Sequence, residues 1–150
     1  MALDDIYKEV ILDHYKNPRN KREMPDAELS CSRNNPLCGD EITVFVHADG
    51  DVVREVSFVG QGCSISQSSA SMMTEAVTGR PVADAEALIH DFRQMMAGDL
   101  DPSEDEFGEL VALKGVVKYP IRVKCAVLAW DVLQEALGGG EGAAAGSAPH

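Results

Sequence analysis

Three cysteines and one aspartate are the residues of this sequence best suited to metal or sulfur chemistry. Cys38 and Asp40 stand on either side of Gly39, and Cys63 follows a Gly-Gln-Gly segment. Cys125 lies much further towards the C-terminus. Three thiolates and one carboxylate form a four-ligand set that tetrahedral Zn²⁺ accepts. The residue types therefore indicate a candidate zinc site, provided that the fold brings them together.

A predicted hairpin joins two of these segments. Residues 41–47 and 52–59 are rich in β-branched and aromatic residues, and the turn signal Ala-Asp-Gly-Asp separates them. Antiparallel pairing places the start of the first strand beside the end of the second. Cys38 and Cys63 should therefore be close. Cys38 and Asp40 can face the same point, because alternate side chains of an extended segment point the same way.

Two predicted helices carry the remaining parts of the candidate site. Cys63 immediately precedes a helix over residues 64–77, whose N-terminal dipole would favour a thiolate. Cys125 lies on a final helix over residues 121–137 and reaches the other ligands only if that helix packs across the end of the sheet. Cys125 also fits the role of a small buried hydrophobic residue, and the residues alone leave both interpretations open.

The whole pattern predicts one α+β domain over residues 1–137, a small antiparallel sheet with helices packed on one face. The segment 138–150 is rich in glycine and alanine and is expected to be a disordered tail. Further expected elements are helices over 4–16 and 82–96, a short strand near 29–32, and a short helix near 107–113.

Composition limits the classes of partner. The chain has 150 residues and a formal net charge of −12 at pH 7, which disfavours binding to the phosphate backbone of nucleic acids. No apolar run approaches the ~20 residues of a membrane span. The acidic N-terminus is unlike a signal peptide, so a cytoplasmic location is expected. In a reducing compartment, separated cysteines indicate metal or thiol chemistry rather than disulfides. The sequence has no CxxC pair, so neither a zinc ribbon nor a thioredoxin-type redox site is indicated.

For the other potentially reactive residues, the sequence favours structural or solvated roles. Cys31 is expected to pack rather than to bind metal, and His14 is expected to be a surface or packing histidine rather than a ligand. The roles of Arg122 and Lys124, which lie near Cys125, stay open: solvated side chains, or charges that stabilise a thiolate. The methionines expected to fill the core are Met72, Met73, Met95 and Met96.

Several segments together resemble the U-type iron–sulfur cluster assembly family, the SufU/IscU-like proteins of the NifU N-terminal type. The resemblance extends to about Leu137. Within the family the chain is more similar to the SufU branch, because Lys124 stands where the IscU branch carries a histidine and because an additional segment separates the last two cysteines. The segments that carry the resemblance are ILDHYKNPRN (11–20), NPLCGD (35–40), GQGCSIS (60–66), SASMM (69–73) and KYPIRVKCA (118–126).

The resemblance implies a function. It assigns Cys38, Asp40, Cys63 and Cys125 as zinc ligands and Cys38 as the sulfur acceptor. The donor would be the persulfide of a SufS-type, PLP-dependent cysteine desulfurase, in which a histidine displaces Cys38 from zinc. Downstream iron–sulfur assembly proteins would receive the sulfur. The protein would act as co-substrate and activator rather than as a free-standing catalyst. The alternatives are an assembly scaffold that holds iron or an iron–sulfur cluster, and a structural zinc module.

Overall fold

The chain forms a three-stranded antiparallel sheet with helices on one face, in a computed structural model that describes residues 3–35 and 39–146. The elements run in the order α1 (Leu3–Lys16), β1 (Leu29–Asn35), β2 (Asp40–Asp49), β3 (Val52–Gln61), α2 (Ser64–Val77), α3 (Val82–Met96), α4 (Glu104–Phe107), the 3₁₀ helix η1 (Gly108–Val116) and α5 (Pro120–Gly146).

The sheet has the order β1-β2-β3, and its alternating side chains define a buried face. Val44 pairs with Phe58 and Val46 pairs with Val56 across the central hairpin, and all four side chains are fully buried. Side chains on the other face of β2, such as Phe45, are only partly buried. This period of two explains why helices cover a single face. The predicted α+β class and the predicted hairpin are confirmed.

Helix α2 lies deep in the molecule because its side chains are small. It contacts α1, α5, β3 and η1, and its serines at 66, 68, 69 and 71 are fully buried. Helix α3 is joined to α5 by stacking of Phe92 on Trp130, with ring centroids 4.2 Å apart. The methionines expected in the core are all buried there: Met72, Met73, Met95 and Met96.

Two elements differ from the sequence-based expectation. Strand β1 continues to Asn35 rather than ending near residue 32, because β2 pairs with it along its whole length. The helix expected near 107–113 is divided into α4 and η1. A reciprocal capping box between Ser103 and Glu106 starts α4 early. Gly108, at a positive φ of 56°, then ends the α-helical turn.

Helix α5 continues beyond Leu137, the predicted end, to Gly146. The alanines at 143–145 favour this extension, whereas the glycines at 138–140 and 142 disfavour it, so propensity alone does not explain it. The disorder expected of 138–150 and the single domain expected over 1–137 stay predictions. In the described part of the chain, neither α5 nor any other helix has both the length and the apolar character needed to cross a membrane.

We expect Ser69→Ala to lower the free energy of unfolding by about 1–3 kcal/mol, because it leaves buried polar groups without their partner. Ser69 Oγ donates to the carbonyl of Ala126 at 2.6 Å and accepts the indole N–H of Trp130 at 3.0 Å. Urea unfolding followed by the fluorescence of Trp130, the single tryptophan, measures the change. Ser30→Ala, at an exposed position of β1, is the control. Equal losses in both variants would contradict the prediction.

Candidate metal centre

The β2–β3 hairpin brings two of the expected ligands to one point. Asp40 begins β2 and is fully buried, while Cys63 lies just beyond the end of β3. The backbone N–H of Cys63 donates to Asp40 Oδ1 at 2.9 Å. The outer ends of the hairpin therefore meet, as the antiparallel topology predicted.

The two oxygens of the Asp40 carboxylate have different surroundings. Oδ1 accepts the Cys63 N–H, whereas Oδ2 lies 3.9 Å from Cys63 Sγ. A backbone hydrogen bond to one oxygen fixes the plane of the carboxylate and leaves the other oxygen directed towards the thiol. A cation bound by Cys63 Sγ would therefore meet Asp40 Oδ2.

Two glycines permit this close approach. A Cβ at Gly62 would clash with Asp40 Oδ1 and would lie 2.8 Å from Ser66 Oγ. A Cβ at Gly60 would clash with the carbonyl oxygen of Glu41. Gly62 also has a φ of +152°, which side chains rarely adopt. Residues 60–63 can lie against β2 only without side chains at these two positions.

Helix α5 contributes the third expected ligand. It packs against β1, β2 and α2, and Cys125 is fully buried. The ligand atoms of Asp40, Cys63 and Cys125 all lie within 4.8 Å of one another. Two sulfurs on a tetrahedral zinc, each about 2.3 Å from the metal, are separated by about 3.8 Å. The three groups therefore suit one zinc ion after small side-chain movements.

Cys38 lies outside the described residues, so its part as fourth ligand and sulfur acceptor stays a prediction. The residues on either side of the undescribed segment 36–38 are close together. Gly39 N–H donates to the carbonyl of Asn35 at 2.9 Å, and Asn35 pairs with Asp40 across β1 and β2. The connection that contains Cys38 therefore starts and ends beside Asp40.

Cys31 belongs to a different environment. Its thiol donates to Glu135 Oε2 at 2.9 Å, in the interface between β1 and α5. Burial, and then the Glu135 carboxylate, raise the pKa of the Cys31 thiol to about 11. A thiol held in this protonated state is a poor nucleophile and a poor metal ligand. Its surroundings agree with the packing role expected from the sequence.

The charged residues near Cys125 differ from it in burial. Arg122 and Lys124 are both exposed, whereas the Cys125 side chain faces the interior.

Sequence reasoning did not single out Ser66 and Ser69, which support the centre. Ser66 Oγ donates to the carbonyl of Cys63, and Ser69 Oγ binds the carbonyl that follows Cys125. The run of small residues in α2 was the available signal, because buried hydroxyls need partners.

Comparison with known protein families shows which family the chain belongs to. The family described as NifU-like N terminal domain matches residues 6–126, which span most of the chain and include all four candidate ligands. The chain belongs to this family. Its members among the similar proteins carry the names SufU and IscU, and the family works in iron–sulfur cluster assembly.

Individual relatives cover nearly the whole chain. The zinc-dependent sulfurtransferase SufU of Bacillus subtilis is 44% identical over 140 residues, covering 93% of this chain and 95% of the relative. The iron–sulfur cluster assembly scaffold protein IscU of Streptococcus pyogenes is 42% identical over 135 residues, covering 90% and 84%. The crystal structure of FiSufU from Fervidobacterium islandicum superposes with a TM-score of 0.82 at 34% identity, covering 91% and 99%.

We expect Gly62→Ala to weaken zinc binding about tenfold or more, because the methyl group displaces Asp40 Oδ1 from the Cys63 amide and disturbs ligand orientation. Competition with a chromophoric chelator measures the affinity. Gly115→Ala is the matched control, since a Cβ at Gly115 meets nothing within 4 Å. Unchanged zinc affinity in a folded Gly62→Ala protein would show that Asp40 does not hold the metal.

Proposed function

We propose that the chain is a zinc-dependent sulfur acceptor, which takes persulfide sulfur from a SufS-type cysteine desulfurase for iron–sulfur cluster assembly. The observation that carries the proposal is the convergence of Asp40, Cys63 and Cys125 within 4.8 Å at the end of the hairpin. Their donor set, together with Cys38 as a fourth ligand, would fit zinc rather than a hard cation. The name of the B. subtilis relative agrees with this chemistry.

Asp40, Cys63 and Cys125 would hold the metal while Cys38 accepts the sulfur. Zinc keeps its cysteine ligands deprotonated and lowers their reactivity until they are released. Asp40, Cys63 and Cys125 lie on β2, at the start of α2 and on α5, so they are fixed by regular structure. Cys38 precedes Gly39, which has a positive φ of 71°, in the connection between strands. We therefore expect Cys38 to be the ligand that leaves the metal most readily.

Transfer of the persulfide sulfur to Cys38 requires no external oxidant. The Cys38 thiolate attacks the outer sulfur of the desulfurase persulfide, and a new sulfur–sulfur bond forms on Cys38. The original sulfur–sulfur bond breaks, and its electron pair leaves on the desulfurase cysteine as a thiolate. The protein is then a co-substrate and activator of the PLP-dependent desulfurase. It would work in the cytoplasm and deliver sulfur to downstream assembly proteins.

A scaffold that holds iron or a cluster is the second candidate function, since the S. pyogenes relative bears that name. The residue before Cys125 argues against it. Lys124 is exposed, and a protonated lysine has no lone pair for iron. A structural zinc module is the third candidate, in which zinc would serve folding alone.

We expect Cys38→Ala to abolish the stimulation of alanine production by a SufS-type desulfurase, because the acceptor sulfur is absent. The assay compares desulfurase turnover with and without the variant. Cys31→Ala is the matched control, because that thiol is bound to Glu135 in the β1–α5 interface. A folded Cys38→Ala protein that does not stimulate the desulfurase would exclude the structural zinc module. Full stimulation by Cys38→Ala would overturn the sulfur-acceptor assignment.

We expect the zinc-loaded protein to stay colourless after anaerobic treatment with iron and sulfide, followed by gel filtration and mild chelation. The thiolates are occupied by zinc, and Lys124 offers iron no ligand while it is protonated. Visible absorbance measures any cluster that remains. A cluster that survives both steps at about one per chain would favour the scaffold function instead.

A further inference from the structure

A second group of potential ligands lies outside the cysteine centre. His14 of α1, Glu75 of α2 and Glu109 of η1 place one ligand atom each within 4.8 Å of the others. None of these residues contributes to the Asp40, Cys63 and Cys125 group. Three separate elements supply them, so the arrangement depends on the tertiary fold rather than on one charged helix face.

The imidazole of His14 is held in a fixed orientation. Its side chain is fully buried, with Nδ1 2.8 Å from Ser71 Oγ and Nε2 2.8 Å from Glu109 Oε1. Ser71 Oγ also accepts the backbone N–H of Arg19 at 2.8 Å. A histidine that binds metal through one nitrogen usually donates its other N–H to a partner that orients the ring. Ser71 occupies that position for Nδ1 and directs Nε2 towards the carboxylates.

The Glu75 and Glu109 carboxylates are open to solvent, unlike the buried His14 ring. The side chains of Glu75 and Glu109 are 51% and 54% exposed, so both can adjust to a ligand. Both also line a cavity of about 260 Å³, together with Glu106. Arg80 also lines this cavity and His14 does not, so the cavity lies beside the two carboxylates rather than leading to the imidazole nitrogen. Arg19 Nε lies 3.8 Å from Glu75 Oε1 and would compete with a cation for that carboxylate.

We propose that His14, Glu75 and Glu109 form a second metal site, specific for a divalent first-row transition-metal ion that prefers nitrogen and oxygen ligands. One imidazole and two carboxylates suit ions of the Mn²⁺ and Fe²⁺ class, whereas the cysteine centre suits softer partners. In the loaded site Nδ1–H donates to Ser71 Oγ and Nε2 binds the ion. Glu109 moves outward to bind the same ion, and water completes the coordination.

Titration with Mn²⁺, followed by electron paramagnetic resonance, tests the site in full-length protein whose cysteine centre is loaded with zinc. Mn²⁺ is the probe because it favours carboxylate and imidazole over thiolate. We expect one saturable Mn²⁺ per chain, and broadening of the His14 ring signals in NMR spectra of the same sample. We expect Glu75→Gln and Glu109→Gln each to weaken binding about tenfold or more.

Glu106→Gln is the matched control, because it removes the same charge from the same cavity. Glutamine can still serve in the capping box with Ser103, so we expect at most about a twofold loss, from one screened charge. Arg19→Gln should tighten Mn²⁺ binding by removing the competing guanidinium. Equal losses in all three glutamate variants would indicate diffuse attraction and overturn the proposal. Unsaturable binding, or unbroadened His14 signals, would overturn it as well.

Discussion

The hydrogen bond from the Cys63 amide to Asp40 Oδ1 is the contact on which the rest of the cysteine centre depends. It closes the outer end of the β2–β3 ladder, where Glu41 already pairs with Gln61. It orients one carboxylate oxygen towards the Cys63 thiol, and it fixes the point at which α2 begins. Gly62 is required beside it, because any side chain there would occupy the space of the bound carboxylate. Residues 60–63 therefore determine both the local backbone geometry and the orientation of the candidate metal ligands.

The position of α5 is the second constraint, and it comes from packing rather than from the ligands. Ser69 bonds to both the Ala126 carbonyl and the Trp130 indole, in the turns that follow Cys125. One residue further along the helix, Arg93 Nε donates to Asp131 at 2.9 Å and ties α3 to α5. These contacts need no metal. The Cys125 thiol is therefore held near the hairpin end by the core itself, and metal binding has less ordering entropy to overcome.

The sequence predicted the features whose causes are local. Alternating β-branched residues around a turn predicted the hairpin, and its topology predicted that the ends near Cys63 would meet. The sequence could not place Cys125, because an apolar helix face fits core packing as well as it fits a ligand. It also gave no sign that His14 meets Glu75 and Glu109, which lie far away in the chain. The division into α4 and η1 was missed because it depends on a capping box and on the backbone of Gly108.

Helix α2 links the two proposed metal sites. Cys63 stands at its N-terminus, and Glu75 lies in its last turn. Ser69 anchors the middle of the helix to α5, so neither end moves independently of the core. The two ligand sets differ in softness, with thiolates at one end and an imidazole with carboxylates at the other. Thiolates favour zinc, and the harder set favours ions that thiolates hold weakly. In this proposal, one buried helix positions two cation sites whose ligand chemistry would select different metals.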